Sequence, residues 1–201
     1  MKKFVYTLIV SSLLLFTGCS DDTDGTSSAI DTITNTDMAL PPPHTMKFLK
    51  KTGQTEVIYA NDDGDLQRGE DINYTRDAQN EVVIDGVTNL MWEDSYADTT
   101  YYLWSEAFTR CEEFGLNGYD DWRVPTIDEL VFIIDRGREE PALNPAFQHK
   151  LYASDDHYWS STENPKDNDY AWVISFRTGI YEESEKDYGL SVVCVRDISE
   201  K

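Results

Sequence analysis

The chain has 201 residues and carries 38 acidic against 17 Lys and Arg side chains, a formal net charge of −21. That field repels nucleic acid, polyanionic glycans and anionic headgroups, and favours cationic ligands or metal ions; acidity equally serves simple solubility in an exposed protein. The length leaves one domain with a sizeable core once the amino-terminal segments are set aside.

Those segments come first in chain order. Lys2 and Lys3 precede an apolar run over 4–16, too short for a bilayer, which needs about 20 residues. The pattern predicts a signal peptide over 1–18. Its end, Phe16-Thr17-Gly18-Cys19, resembles the lipobox of bacterial lipoproteins, which implies cleavage before Cys19 and acylation of its thiol. Several acyl chains, each contributing about 0.8 kcal/mol per buried methylene, would anchor the protein stably. Ser20 stands where an aspartate would favour inner-membrane retention, so the resemblance implies the outer membrane of a Gram-negative envelope. Residues 20–44 are rich in Ser, Thr and Asp, end in Pro41-Pro42-Pro43, and cannot build a core. The stretch 19–44 is therefore expected to be a lipidated cysteine and flexible tether, reaching roughly 25–30 Å as a coil. The domain should occupy 45–201.

With Cys19 acylated, Cys111 and Cys194 remain, and an even remainder in an oxidising compartment predicts one disulfide. The chain-entropy treatment gives about 4.5 kcal/mol as its ceiling. Residues 81–84 and 88–92 are β-type runs separated by Asp85-Gly86. Trp104, Ala107, Phe108, Cys111 and Phe114 fall at helical spacing with Gly115 available as a stop, which buries Cys111. Thr126 and Glu129 form a capping box, and Ile127, Leu130, Val131 and Ile134 continue a second helix to near Gly137. The stretch 138–156, with Pro141 and Pro145, predicts a long irregular loop. Residues 158–161, 171–176 and 190–196 read as strands. Leu190, Val192 and Cys194 share the face that aims Cys194 inward, and Arg177-Thr178-Gly179 makes a turn into Ile180-Tyr181.

Several motifs stand in order along the chain: Lys51-Thr52-Gly53-Gln54-Thr55, Asp62-Asp63-Gly64-Asp65, Tyr74-Thr75-Arg76-Asp77, Thr88-Asn89-Leu90-Met91-Trp92, Asp121-Trp122-Arg123-Val124-Pro125-Thr126, Tyr158-Trp159-Ser160-Ser161-Thr162, Ala171-Trp172 and Cys194-Val195-Arg196. From Phe48 to Arg196 the chain resembles the Lcl C-terminal domain family, named for the terminal domain of a bacterial collagen-like adhesin. Asn89 stands where that family commonly has glycine, and Val124 where it commonly has leucine. The resemblance implies an α+β, C-type lectin-like fold: two helices packed on a twisted antiparallel sheet, terminal strands adjacent, long irregular loops. The Glu-Pro-Asn calcium motif of sugar-binding lectins is absent; Glu163-Asn164-Pro165 has those residues in another order.

Trp92, Trp104, Trp122, Trp159 and Trp172 suit either sugar stacking or burial as fold anchors, with burial favoured. Arg123 can hold a ligand carboxylate or an internal one. Asp62, Asp63 and Asp65, around Gly64 with Glu70 and Asp71 beyond, are candidate calcium ligands without EF-hand spacing, set against a solvated turn. Glu163, Asp167 and Asp169, flanked by Trp159 and Trp172, form a candidate ligand-binding loop where lectin-like folds usually bind. Ser160 and Ser161 lack a nucleophile elbow, and His44, His149 and His157 are scattered. No enzyme activity is expected, and a hydrolase using Asp120 or Asp121 is the distant alternative. The expected function is a surface binding module, anchored by lipid to the outer membrane, that recognises glycan, matrix or envelope protein. A structural envelope lipoprotein that packs into an assembly without glycan recognition is the rival.

Overall fold

The computed structural model describes residues 49–95, 100–148 and 157–198. The expected signal peptide 1–18, Cys19 and the tether to residue 44 lie outside the described residues, as do His149 and part of the predicted loop. Ten elements follow in order: α1 Asp63–Leu66, β1 Tyr74–Asp77, β2 Val82–Asp85, β3 Leu90–Glu93, α2 Trp104–Glu112, α3 Ile127–Phe132, β4 His157–Glu163, β5 Tyr170–Ser175, β6 Tyr181–Glu185 and β7 Val195–Asp197. They build two antiparallel sheets, ordered β1-β2-β3-β7 and β4-β5-β6, which makes the fold α+β. No helix among the described residues is long and apolar enough to cross a membrane.

Two features depart from the expected single sheet with adjacent terminal strands. There are two sheets, and β7 pairs with β3 rather than β1. Burial explains the order: β3 is buried at every position and needs partners on both sides, whereas β1 (Tyr-Thr-Arg-Asp) is half-exposed and suits an edge. Between β2 and β3 the chain turns through Asn89, whose φ of +57° is the left-handed conformation that favours glycine. Asparagine tolerates it better than most residues.

Both sheets separate apolar clusters. Along β3, Leu90 and Trp92 face one cluster with Leu130, Ile133, Phe147, Tyr158 and Ile174, while Met91 faces a second with Cys111, Trp122 and Trp159. The segment before β7 alternates in the same way: Leu190, Val192 and Cys194 join the second cluster, Val193 and Val195 the first. The predicted helical stripe holds, since Ala107 and Cys111 are fully buried and Trp104 and Phe108 pack on the same cluster. The helix stops at Glu112, however, capped by Glu113 before Gly115 is reached. Likewise α3 starts on its Thr126–Glu129 capping box but ends at Phe132, well short of Gly137. There Ile134 bridges Leu143, and the Asp135 and Arg136 amides donate to Ala142 and Thr52 carbonyls, so extended pairing outcompetes further helix.

Candidate functional site

The motif residues converge on a seam where α2, α3, β4 and β7 meet. Cys111 on α2 is bonded to Cys194, with Cα atoms 5.6 Å apart. Beside that bond lies an ion pair that periodicity did not reveal. Arg110 donates to both oxygens of the fully buried Glu93 at 2.8 and 2.6 Å, and the Cys194 amide donates to the same carboxylate at 3.0 Å.

Each member of the Asp121-to-Thr126 box has an internal partner. Asp121 accepts from Arg196 at 2.6 and 2.9 Å. That hydrogen bond holds the carboxyl below its ordinary range, so it is ionised and occupied rather than poised as an acid. Trp122 is buried against Phe114. Arg123 forks onto Glu129 at 2.8 and 2.7 Å, reaches Asp197, and exchanges main-chain bonds with Val195. The Pro125 carbonyl accepts the Ser161 amide at 2.7 Å, and Thr126 caps α3.

The Tyr158-to-Thr162 motif completes the seam from the other side. Tyr158 stacks on Phe176, and the Ser160 hydroxyl donates to the Trp172 carbonyl at 2.6 Å. Thr162 Oγ1 accepts from the Ile127 amide at 3.1 Å, which ties β4 to the start of α3. The Ser160 hydroxyl and the Ser161 amide thereby tie β4 to β5 and to the Asp121-to-Thr126 box. Trp159, expected to flank a ligand loop, is 0 % exposed, with its indole N–H on the Tyr102 carbonyl at 2.8 Å. It sits opposite Val173 on the core side of β4, so it takes no part in surface contact.

Trp172 behaves differently. It is half-buried on the opposite face of β5, edge-on to Tyr181 of β6 at 5.9 Å between ring centroids. The register sets Tyr170 and Trp172 of β5 beside Glu185 and Glu183 of β6 on one outward face. Tyr170 donates its hydroxyl to Glu185 at 2.8 Å, and Asn164 donates its amide to Glu183. Sequence reasoning missed Tyr170, Tyr181, Glu183 and Glu185, although the alternation of Tyr181-Glu182-Glu183-Ser184-Glu185 after a turn was the available signal.

The acidic loop lies at one end of this face. Glu163 pairs with Lys186 at 3.0 Å, and Lys186 also sits 4.2 Å over the Trp104 ring. Asp167 closes a turn by accepting the Asp169 amide at 3.1 Å. A groove of about 430 Å³ runs alongside, lined by Asp169, Tyr170, Glu185, Lys186 and Asp187. Glu163, Asp167 and Asp169 thus border one surface without pointing at one centre.

The other acidic cluster is a backbone-binding turn. Asp62 accepts the amides of Ile58, Tyr59 and Asp65 at 2.9, 3.1 and 2.9 Å, and Asp65 accepts that of Asn61 at 2.8 Å. Those bonds, the Ile58 and Tyr59 amides foremost, hold the Asp62 carboxyl below its ordinary range. Of the oxygens expected as calcium ligands at Asp62, Asp63 and Asp65, both of Asp62 and one of Asp65 are thus turned to main-chain donors. Among the described residues no group of three or more His, Cys, Asp or Glu side chains is disposed to hold a metal ion.

A search of curated proteins returned no match. The Lcl C-terminal domain family model matches residues 81–196, so the motifs at Lys51-Thr52-Gly53, Asp62-Asp63-Gly64 and Tyr74-Thr75-Arg76 fall before the matched span. With more than half of its length so matched, and with the matched motifs forming the seam itself, the chain belongs to the Lcl C-terminal domain family.

Proposed function

We propose that this protein is a non-enzymatic surface binding module, lipid-anchored at the outer membrane through Cys19, with a C-type lectin-like domain that contacts glycan, matrix or envelope protein. The lectin-like assignment draws support from two helices packed on antiparallel sheets, a disulfide linking α2 to the segment before β7, and irregular connections. One observation carries the binding reading. Polar groups that resemble catalytic or ligand-holding chemistry, among them Asp62, Asp121, Arg123 and Ser160, are engaged internally, while Trp172, Tyr181, Glu183 and Glu185 gather on one outward face. Half-exposed aromatics beside fixed polar groups are the composition of a recognition surface rather than a reaction centre.

The test uses the full-length chain on a glycan array, with calcium and with chelator, beside in-cell crosslinking. Glycan or matrix-protein binding that is lost in Trp172→Ala supports the reading. Silence on the array together with crosslinks only to envelope assembly partners would favour the structural lipoprotein instead. Metabolic labelling with a fatty acid, lost in Cys19→Ser, tests the anchor separately.

A further inference from the structure

Resting on the binding-module reading, we infer that β6 is a docking edge for an extended, basic peptide strand of a protein partner. In the sheet order β4-β5-β6, β6 has β5 on one side only, and among the described residues no strand or isolated bridge pairs with its other side. The register settles which main-chain groups are open. The Ser175 amide donates to Ile180 and the Lys186 amide to Asp169, which turns the main chain of Glu182 and Ser184 toward β5. The N–H and C=O groups of Tyr181 and Glu183 therefore point outward, where an added strand would meet them.

Side chains specify what strand fits. Tyr181, Glu183 and Glu185 alternate onto the face that also holds Tyr170 and Trp172, so carboxylates and aromatic rings stand side by side. An ammonium or guanidinium on alternate residues of an incoming strand would meet a carboxylate and a ring face together. Glu182, exposed on the reverse face, extends the same preference. Charged residues on an edge strand also oppose pairing between identical chains, because a second copy brings the same carboxylates to the contact. The occupant is thus a basic strand of another protein rather than a second copy.

The experiment titrates the full-length chain with a short synthetic peptide alternating lysine and threonine. Its control carries the same charge but is N-methylated at alternate residues, in the two possible phases. The inference predicts saturable binding that one phase of N-methylation abolishes and the other spares. It also predicts that Glu183→Lys weakens binding roughly tenfold or more, as loss of about 1.4 kcal/mol would. Binding indifferent to both phases would reduce the effect to general charge attraction and overturn the inference. So would the absence of peptide binding, or self-association through β6 by sedimentation. If glycan or crosslinked partners bind and are lost in Trp172→Ala while the peptide does not bind, only the strand-docking inference falls; silence in both assays removes the module reading as well.

Discussion

The seam of α2, α3, β4 and β7 and the outer face of β5–β6 use the same residue types to opposite ends. In the seam, tryptophans are buried and charges are paired: Trp159 is 0 % exposed, Glu93 is fixed by Arg110, and Asp121 by Arg196. On the outer face Trp172 is half-buried, Tyr181 is 51 % exposed, and the carboxylates of β6 border solvent. The difference teaches that the residues that identify the family hold the scaffold together. Trp172 is the motif residue that stands apart: with Tyr181, Glu183 and Glu185 of β6 it lies on the face for which we propose recognition.

The sharpest way to break this contrast is to cut the seam's covalent link. Cys111→Ser with Cys194→Ser should cost about 4 kcal/mol in denaturant unfolding and abolish ligand binding only through loss of fold. A cost under about 1 kcal/mol would mean the link does not hold the seam. Removing Arg110 as Arg110→Leu leaves the buried Glu93 carboxyl without its guanidinium partner, for an expected loss of about 3–5 kcal/mol. The tryptophans then compare the two regions directly. Trp159→Ala should destabilise by about 3–5 kcal/mol, while Trp172→Ala should cost roughly 1 kcal/mol and act mainly on binding. Equal costs would dissolve the distinction.

The smallest expected effect is on acid stability. Burial opposes ionisation of Glu129, yet its bonds from Arg123 and the Thr126 amide outweigh that and keep its carboxyl below the ordinary range, as Arg196 does for Asp121. Because these groups are depressed in the folded state, their contribution is complete above about pH 5 and disappears as pH falls through the folded values. Thermal melts in acid should therefore show Tm falling below about pH 5, with a shallower fall in Glu129→Gln. A pH-independent Tm in that range would contradict the pairing.

Much of the scaffold was legible in the sequence, because its signals are local. The stripe from Trp104 to Cys111, the Thr126–Glu129 box, and the alternation of Leu190, Val192 and Cys194 each follow from one element's periodicity. What escaped depends on pairs distant in the chain. Nothing near Glu93 announces Arg110, and the early end of α3 is set by Ala142 and Thr52, outside the helix. For the site, the loop of Glu163, Asp167 and Asp169 borders the β5–β6 face that we propose for recognition, whereas β-alternation sends the adjacent Trp159 to the core. The outward face needed the register of β5 on β6, which brings Trp172 to Tyr181 and cannot be read from either strand alone.

The most direct measurement is hydroxyl-radical labelling of the full-length chain, read residue by residue by mass spectrometry, with and without the alternating lysine–threonine peptide. We expect Trp172 and Tyr181 to label and to lose label when the peptide is added, while Trp92, Trp122 and Trp159 stay unlabelled throughout. Labelling of Trp159 as heavy as that of Trp172, or peptide protection confined to other surfaces, would contradict the account.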